Sequence, residues 1–165
     1  MRIPKFRLLL PVAAMIAAGT LASPLQAAST TVTVLLSDKG ANVDMPTNMG
    51  MNMGAMDMSM ATMRVKASPP KAKAGEITFV VKNISKDTIH EMILARLEDP
   101  SKQEPYIANE SRVDEDNAGD LGEVSELDPG ASGKLTVTLK PGKYLLYCNV
   151  PGHYMAGMWT TFTVE

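Results

Sequence analysis

Histidine and cysteine are scarce in this chain of 165 residues, which holds two histidines, His90 and His153, and a single cysteine, Cys148. One cysteine excludes an intrachain disulfide, and the short supply of both residues excludes any site that needs many imidazoles or two thiolates. Aromatic side chains make up only 5% of the sequence. Basic charge is not in excess either: the formal net charge is −2, which gives no support to nucleic-acid binding through a basic surface. The length suits one domain of ordinary size, and two would be a tight fit. Methionine, in contrast, is unusually plentiful. Its 13 copies outnumber the three Phe, four Tyr and one Trp taken together.

The first seven residues carry Arg2, Lys5 and Arg7 and no acid, and are followed by an apolar stretch from Leu8 and a small, polar run over residues 19–28. That is the layout of a secretory signal peptide, here residues 1–27, with the cut near Ala27 or Ala28. A membrane anchor fits less well, because Pro11 interrupts an apolar stretch already short of the ~20 residues needed to span a bilayer. No cysteine precedes Cys148, so a lipid-modified N-terminus is excluded. Cleavage would leave 13 basic residues against 18 acidic, a net charge of −5 on a mature, exported or periplasmic protein without a membrane span. An exported protein with one unpaired thiol is unusual, since the thiol risks oxidation. Either Cys148 is a buried core residue or it has a chemical task.

Residues 28–165 read as a single domain. Strand signals occur at residues 31–36, 63–67, 76–82, 89–97, 134–139, 143–148 and 159–164, separated by Gly and Pro turns. Ile77, Phe79 and Val81 alternate with more polar neighbours, as do Leu135, Val137 and Leu139, the pattern of half-buried strands. With no convincing long amphipathic helix, about seven short strands indicate an all-β sandwich.

Two stretches break this rhythm. Residues 45–63 contain eight methionines among nineteen residues, including Met49, Met51, Met53, Met56, Met58 and Met60 in Met-x-Met repeats. No globular core needs such a run. Extended backbone would place alternate thioethers on one side, where two or three could converge on Cu(I), a soft ion that suits an uncharged sulfur ligand. The plainer alternative is flexible apolar packing, which Met tolerates well. The second stretch, residues 98–128, has eleven acids against Lys102 and Arg112, a net charge of −9. It reads as a loop crossing from one sheet to the other, with a short helix admissible within residues 111–120. Its charge would either keep an exported protein soluble or steer a basic partner such as a cytochrome. Nothing in it matches a catalytic carboxylate pair or an EF-hand loop.

The decisive segment is Tyr147-Cys148-Asn-Val-Pro-Gly-His153-Tyr-Met-Ala-Gly-Met158, a Cys-x4-His-x4-Met pattern on the turn before the last strand. A thiolate, an imidazole and a thioether on one short loop are soft or borderline ligands, matched to copper and poorly matched to calcium, magnesium or manganese. With His90 completing a His2Cys plane and Met158 as a weak axial sulfur, the set is the trigonal blue-copper arrangement. Turns at Pro151-Gly152 and Ala156-Gly157 would return His153 and Met158 to the place where Cys148 leaves its strand. His90 must then arrive from a different strand. Ligands spread in this way make a stiff site, suited to electron transfer with little reorganisation.

This segment, with Thr88-Ile-His-Glu-Met upstream, resembles the cupredoxin family of small blue copper proteins, and its loop spacing is more similar to rusticyanin and sulfocyanin than to plastocyanin or amicyanin. The resemblance covers roughly residues 30–165 outside the two unusual stretches. It implies a Greek-key β-sandwich holding one copper through His90, Cys148, His153 and Met158. The residue after the upstream histidine is often Asn or Ser in that family and braces the ligand loop. Here it is Glu91, which would either accept a hydrogen bond from the loop or face solvent, with Asn149 the candidate brace on the Cys148 side. Ile89 stands where a Gly would favour an additional carbonyl ligand.

Both histidines are committed to one site, so a second metal centre of the oxidase or nitrite-reductase type lacks ligands, as does a binuclear centre with two bridging cysteines. The expectation is therefore a one-electron carrier and not an enzyme, serving a redox partner such as a cytochrome or oxidase. The apolar collar of Pro151, Gly152, Tyr154, Met155, Ala156 and Met158 would let the His153 edge reach the surface as an electron port, or merely exclude water. The alternative function is copper handling or copper tolerance with a copper-handling partner, the methionine run binding extra Cu(I). Met92 and Met155 are expected to be packing residues.

Overall fold

The computed structural model describes residues 29–38 and 63–165. The signal segment and all six methionines from Met49 to Met60 lie outside the described residues. Eleven strands and one helical turn follow in order: β1 (Thr30–Asp38), β2 (Met63–Ser68), β3 (Lys71–Ala72), β4 (Gly75–Asn83), β5 (His90–Arg96), β6 (Tyr106–Ile107), β7 (Arg112–Val113), α1 (Glu115–Ala118), β8 (Asp120–Leu127), β9 (Ser132–Leu139), β10 (Gly142–Tyr147) and β11 (Trp159–Val164). They form a four-stranded sheet β2-β1-β4-β9, a five-stranded sheet β3-β11-β10-β5-β8 and the small hairpin β6-β7. The two main sheets face each other as the expected all-β, Greek-key sandwich. Among the described residues no helix is long and apolar enough to cross a membrane.

Period-two patterning produces the interior. Val32, Val34 and Leu36 of β1 and Ile77, Phe79 and Val81 of β4 are buried on one face, as the alternation of a half-buried strand requires. They meet Met92, Leu94, Leu146 and Phe162 from the other sheet. Phe79 and Phe162 join the layers edge to face, with ring centroids 5.3 Å apart. Met63 opens β2 opposite Asp38 and packs half-buried on this core.

β5 breaks the alternation. Every residue from His90 to Ala95 is buried, because the strand is covered on both faces. Ile93 and Ala95 point away from the sandwich into a second core with Val113, Ala118, Leu145, Tyr147, Tyr154 and Trp159. Val113 and Ala118 come from the acidic stretch. Its reading as a loop crossing between sheets is therefore corrected. Residues 98–119 return to the sheet they left, carrying β6, β7 and α1 over its outer face, and β8 pairs antiparallel with β5. The crossing between sheets occurs only afterwards, between β8 and β9. β8 escaped notice in the sequence because it is an edge strand whose one buried side chain is Val124. An edge exposes most of its side chains, and Asp120, Glu123 and Glu126 suit it. The short helix is real but brief: Asp114 caps its start by accepting from Asn117 N–H, and Gly119, at φ 72°, ends it in the left-handed region.

At the seam between β8 and β9, Gly133 lies directly against Val124, and a Cβ at that position would collide with Val124 Cγ1. Gly133→Ala should accordingly lower stability by about 1–3 kcal/mol through overpacking, measured as an earlier midpoint in urea unfolding. A midpoint equal to wild type would show that the seam can open without cost.

Candidate metal centre

His90 begins β5, Cys148 follows the last residue of β10, and His153 and Met158 lie on the turn that leads into β11. The pairing of β10 with β11 places Tyr147 opposite Trp159, and Cys148 N–H then donates to the Met158 carbonyl at 3.0 Å. Within the turn, His153 N–H donates to Val150 O at 2.9 Å and Met158 N–H to His153 O at 3.1 Å. Gly152 and Gly157 adopt φ values of 84° and 87°, a left-handed conformation that costs glycine little and other residues more. The loop is thus a closed, internally bonded turn, and it holds His153 and Met158 at the place where Cys148 emerges.

The ligating atoms of His90, Cys148 and His153 all lie within 4.8 Å of one another. His153 Nδ1 stands 3.3 Å from His90 Nδ1 and 3.3 Å from Cys148 Sγ. His90, Cys148 and Met158 are completely buried, and His153 is 9% exposed. Met158 shares the main core with Cys148 and is tied by backbone hydrogen bonds to both Cys148 and His153. Of the apolar collar around His153, Tyr154 is buried in the second core, with Met155 half-buried beside it, and Met158 is buried in the main core.

Burial sets the protonation of the three groups. It pushes the Cys148 thiol up to about 12, although backbone N–H donors from Glu91 and Val150 work in the opposite sense. Burial lowers both imidazoles as well. For His90 the nearby Asp38 partly offsets the effect, and for His153 the neighbouring His90 adds to it. Two neutral imidazoles therefore offer lone pairs beside a thiol that ionises readily only against a cation, and a metal of borderline softness meets that requirement. The chemistry of the donor set fits copper.

Around these atoms the structure decides what the sequence left open. Glu91 N–H donates to Cys148 Sγ at 3.5 Å, and the Glu91 carboxylate accepts from Asn149 N–H at 3.0 Å, so it faces the loop and not solvent. Asn149 reaches the other way: its Oδ1 accepts from Val113 N–H at 2.7 Å, and its Nδ2 donates to Val113 O at 3.0 Å and to Glu115 at 2.6 Å. The ligand loop is thereby fastened to the acidic stretch. Sequence reasoning missed Asp38 and Ser85, which both contact His90 Nε2. Asp38 is 52 positions from His90, a separation that leaves no local signal, and Ser85, though only five positions away, carries no pattern that sets its hydroxyl apart.

Burial raises the Glu91 carboxyl from 4.5 to about 7; the Asn149 N–H bond opposes the shift, while the negative charges of Glu123, Glu115 and Glu126 add to it. The folded protein consequently holds a proton that the unfolded chain has released. Stability of the copper-free protein should decline as pH rises from about 4.5 towards about 7 and then level off. Thermal melts across that interval should show the decline in wild type and a flatter profile in Glu91→Gln. An identical slope in the two proteins would assign the pH dependence to another group.

The sequence pattern of the copper-binding proteins of the plastocyanin/azurin family matches residues 47–165. Auracyanin-B of Chloroflexus aurantiacus (strain ATCC 29366 / DSM 635 / J-10-fl) is 46% identical over 50 residues, 30% of this chain and 21% of that protein. The chain thus spans about a fifth of that relative's length. The structure of reduced rusticyanin superposes with a TM-score of 0.51 at 18% identity, covering 82% of this chain and 80% of the other, a likeness of fold. Dithionite-reduced auracyanin of Roseiflexus castenholzii aligns at 25% identity and a TM-score of 0.46, over 58% of this chain and 82% of its own. With a matching sequence pattern over most of its length and His90, Cys148 and His153 gathered at one buried point, the chain belongs to the plastocyanin/azurin family of copper-binding proteins, the cupredoxins.

Proposed function

We propose that this protein is an exported, single-domain one-electron carrier whose copper is held by His90, Cys148 and His153, with Met158 as a weak axial ligand. The observation that carries this reading is the convergence of two neutral imidazoles and one thiol within 4.8 Å, at a position where only His153 retains any exposure. Copper supplies the reversible exchange of one electron. The chain's own residues hold the ligands on a closed turn, exclude water from three of them, and leave one imidazole edge near the surface as the route for the electron. Rigid placement suits this work, since the protein then has little to rearrange between Cu(II) and Cu(I).

Both histidines are engaged at the one site, which leaves no imidazole among the described residues for a second metal where a substrate could react. That supports a carrier over an enzyme. The basic and apolar start of the sequence supports export to the periplasm or beyond, and a cytochrome or oxidase is the kind of redox partner such a carrier serves. The carboxylates on β8 and in the preceding stretch would favour a basic docking face, with salt-sensitive association.

A second reading, copper handling, has its own support. The methionine-rich segment runs between Asp38 and Met63, which are paired across β1 and β2, and Asp38 contacts His90. The two described residues that flank the segment are thus paired with each other, and one of them touches a copper-site histidine. Titration of Cu(I) into wild type and into a variant with Met49, Met51, Met53, Met56, Met58 and Met60 changed to Leu separates the readings. One equivalent in both proteins supports the carrier alone, whereas additional wild-type equivalents lost in the variant support copper handling.

For the site itself, the Cu(II) protein should show intense thiolate-to-copper visible absorption that Cys148→Ser abolishes; persistence of the band in that variant would overturn the ligand assignment. Met158→Leu should retain copper and raise the reduction potential, since a weak axial sulfur donor is lost. Complete loss of copper would make Met158 more than a weak axial ligand.

A further inference from the structure

Asp38 is the last residue of β1, in the sheet opposite the one that carries His90. Its carboxylate Oδ1 stands 3.1 Å from His90 Nε2, while Nδ1 of the same ring is directed at His153. Ser85 Oγ also lies at Nε2, 2.8 Å away. The two neighbours differ in what they can accept. A hydroxyl both donates and accepts, so Ser85 is compatible with either form of the imidazole. A carboxylate only accepts, so Asp38 is satisfied only when Nε2 carries the proton. That is the form in which Nδ1 keeps a lone pair for a metal.

Several hydrogen bonds hold the carboxylate in place. Asp38 N–H donates to Ser85 Oγ at 3.2 Å, and Thr88 Oγ1 donates to Asp38 Oδ2 at 3.4 Å. Asn83 organises the intervening turn: its Oδ1 accepts from Ser85 N–H at 2.9 Å, and its Nδ2 donates to Thr88 O at 2.8 Å and Leu127 O at 2.9 Å. His90 is fully buried while the Asp38 side chain is 39% exposed. A negative charge therefore stands one imidazole away from the metal position, on the side where solvent begins.

We infer that Asp38 is a positioning residue: it selects the His90 form that presents Nδ1 to copper, and its fixed charge favours Cu(II) over Cu(I) at the site. The inference rests on the copper ligation proposed above and adds to it a control on metal preference. A carboxylate bonded to the remote nitrogen of a ligating histidine raises the basicity of that ligand, and loss of such a partner typically changes metal affinity 10–100-fold. Nothing in the local sequence marks Asp38 for this task; the parallel register of β1 with β4, which sets Leu36 opposite Asn83, and the turn after β4 bring it there.

The test uses wild type, Asp38→Asn, which keeps an accepting oxygen without the charge, and Asp38→Ala, which keeps neither. Nitrogen-15 NMR of the copper-free proteins should find His90 protonated at Nε2 in wild type and in Asp38→Asn, and a mixture of the two forms in Asp38→Ala. In the copper-loaded proteins, Asp38→Asn should keep the thiolate-to-copper absorption while its preference for Cu(II) over Cu(I) falls roughly tenfold, a rise in potential of about 59 mV. A wild-type His90 protonated at Nδ1, or an unchanged potential in both variants, would overturn the inference. A wild type that takes up no copper would defeat the proposed ligation instead, and the copper-free NMR comparison would still decide whether Asp38 selects the His90 form.

Discussion

Hydrogen bonding between β10 and β11 continues one step beyond the strands, where Cys148 N–H donates to the Met158 carbonyl, and the copper site depends on that closure. It turns the eleven residues from Cys148 to Met158 into a ring whose two ends sit side by side. His153 and Met158 are then fixed relative to Cys148 by the register of a sheet, which is far stiffer than any side-chain contact. His90 is brought to the same place because β5 is the next strand over from β10. Three of the four residues are thus arranged by one hairpin and the fourth by its neighbour.

The second consequence of this arrangement is that β5 and β10 must be buried on both faces. A strand carrying a thiol or imidazole towards the core still exposes its alternate side chains on the other side, and here those are Ile93, Ala95, Leu145 and Tyr147. The acidic stretch covers them. Its carboxylates lie mainly at the surface, while Val113 and Ala118 pack inward and Asn149 fastens the ligand loop to it through Val113 and Glu115. A segment whose charge suggested solvation therefore serves as the lid of a second core. Four of the eight aromatic residues, Tyr106, Tyr147, Tyr154 and Trp159, gather there, a concentrated use of a scarce residue type.

Electrostatics and packing act together at the site. Desolvation disfavours the charged form of every group placed there, so the thiol keeps its proton and the imidazoles stay neutral until a cation enters. Around that neutral centre the chain distributes partial and full charges at its edge: backbone N–H groups aimed at the Cys148 sulfur, Glu91 accepting from the loop, and Asp38 at the far nitrogen of His90. The ligands determine which metal is held. The surrounding donors and acceptors hold the ligands in the form that binds it.

How much of this was legible beforehand follows from how far each interaction reaches along the chain. The strands buried on one face could be read because period-two burial is local, and β5 and β10, buried on both, stood out as short apolar runs between turns; β8 could not be read, because an edge strand with a single buried side chain leaves neither signal. The Cys-x4-His-x4-Met pattern was visible because its signal is local too: a turn of eleven residues encodes its own closure through Gly152 and Gly157. Scarcity alone then pointed to His90, the one histidine remaining. The sequence by itself thus determined the kind of metal and the principal residues able to hold it, since donor chemistry belongs to the side chains whatever their surroundings. Tertiary structure alone decided the roles of Asp38 and Glu91 and the use of the acidic stretch as a cover. Those depend on strand register and sheet order, which join residues dozens of positions apart without any trace in their immediate neighbours.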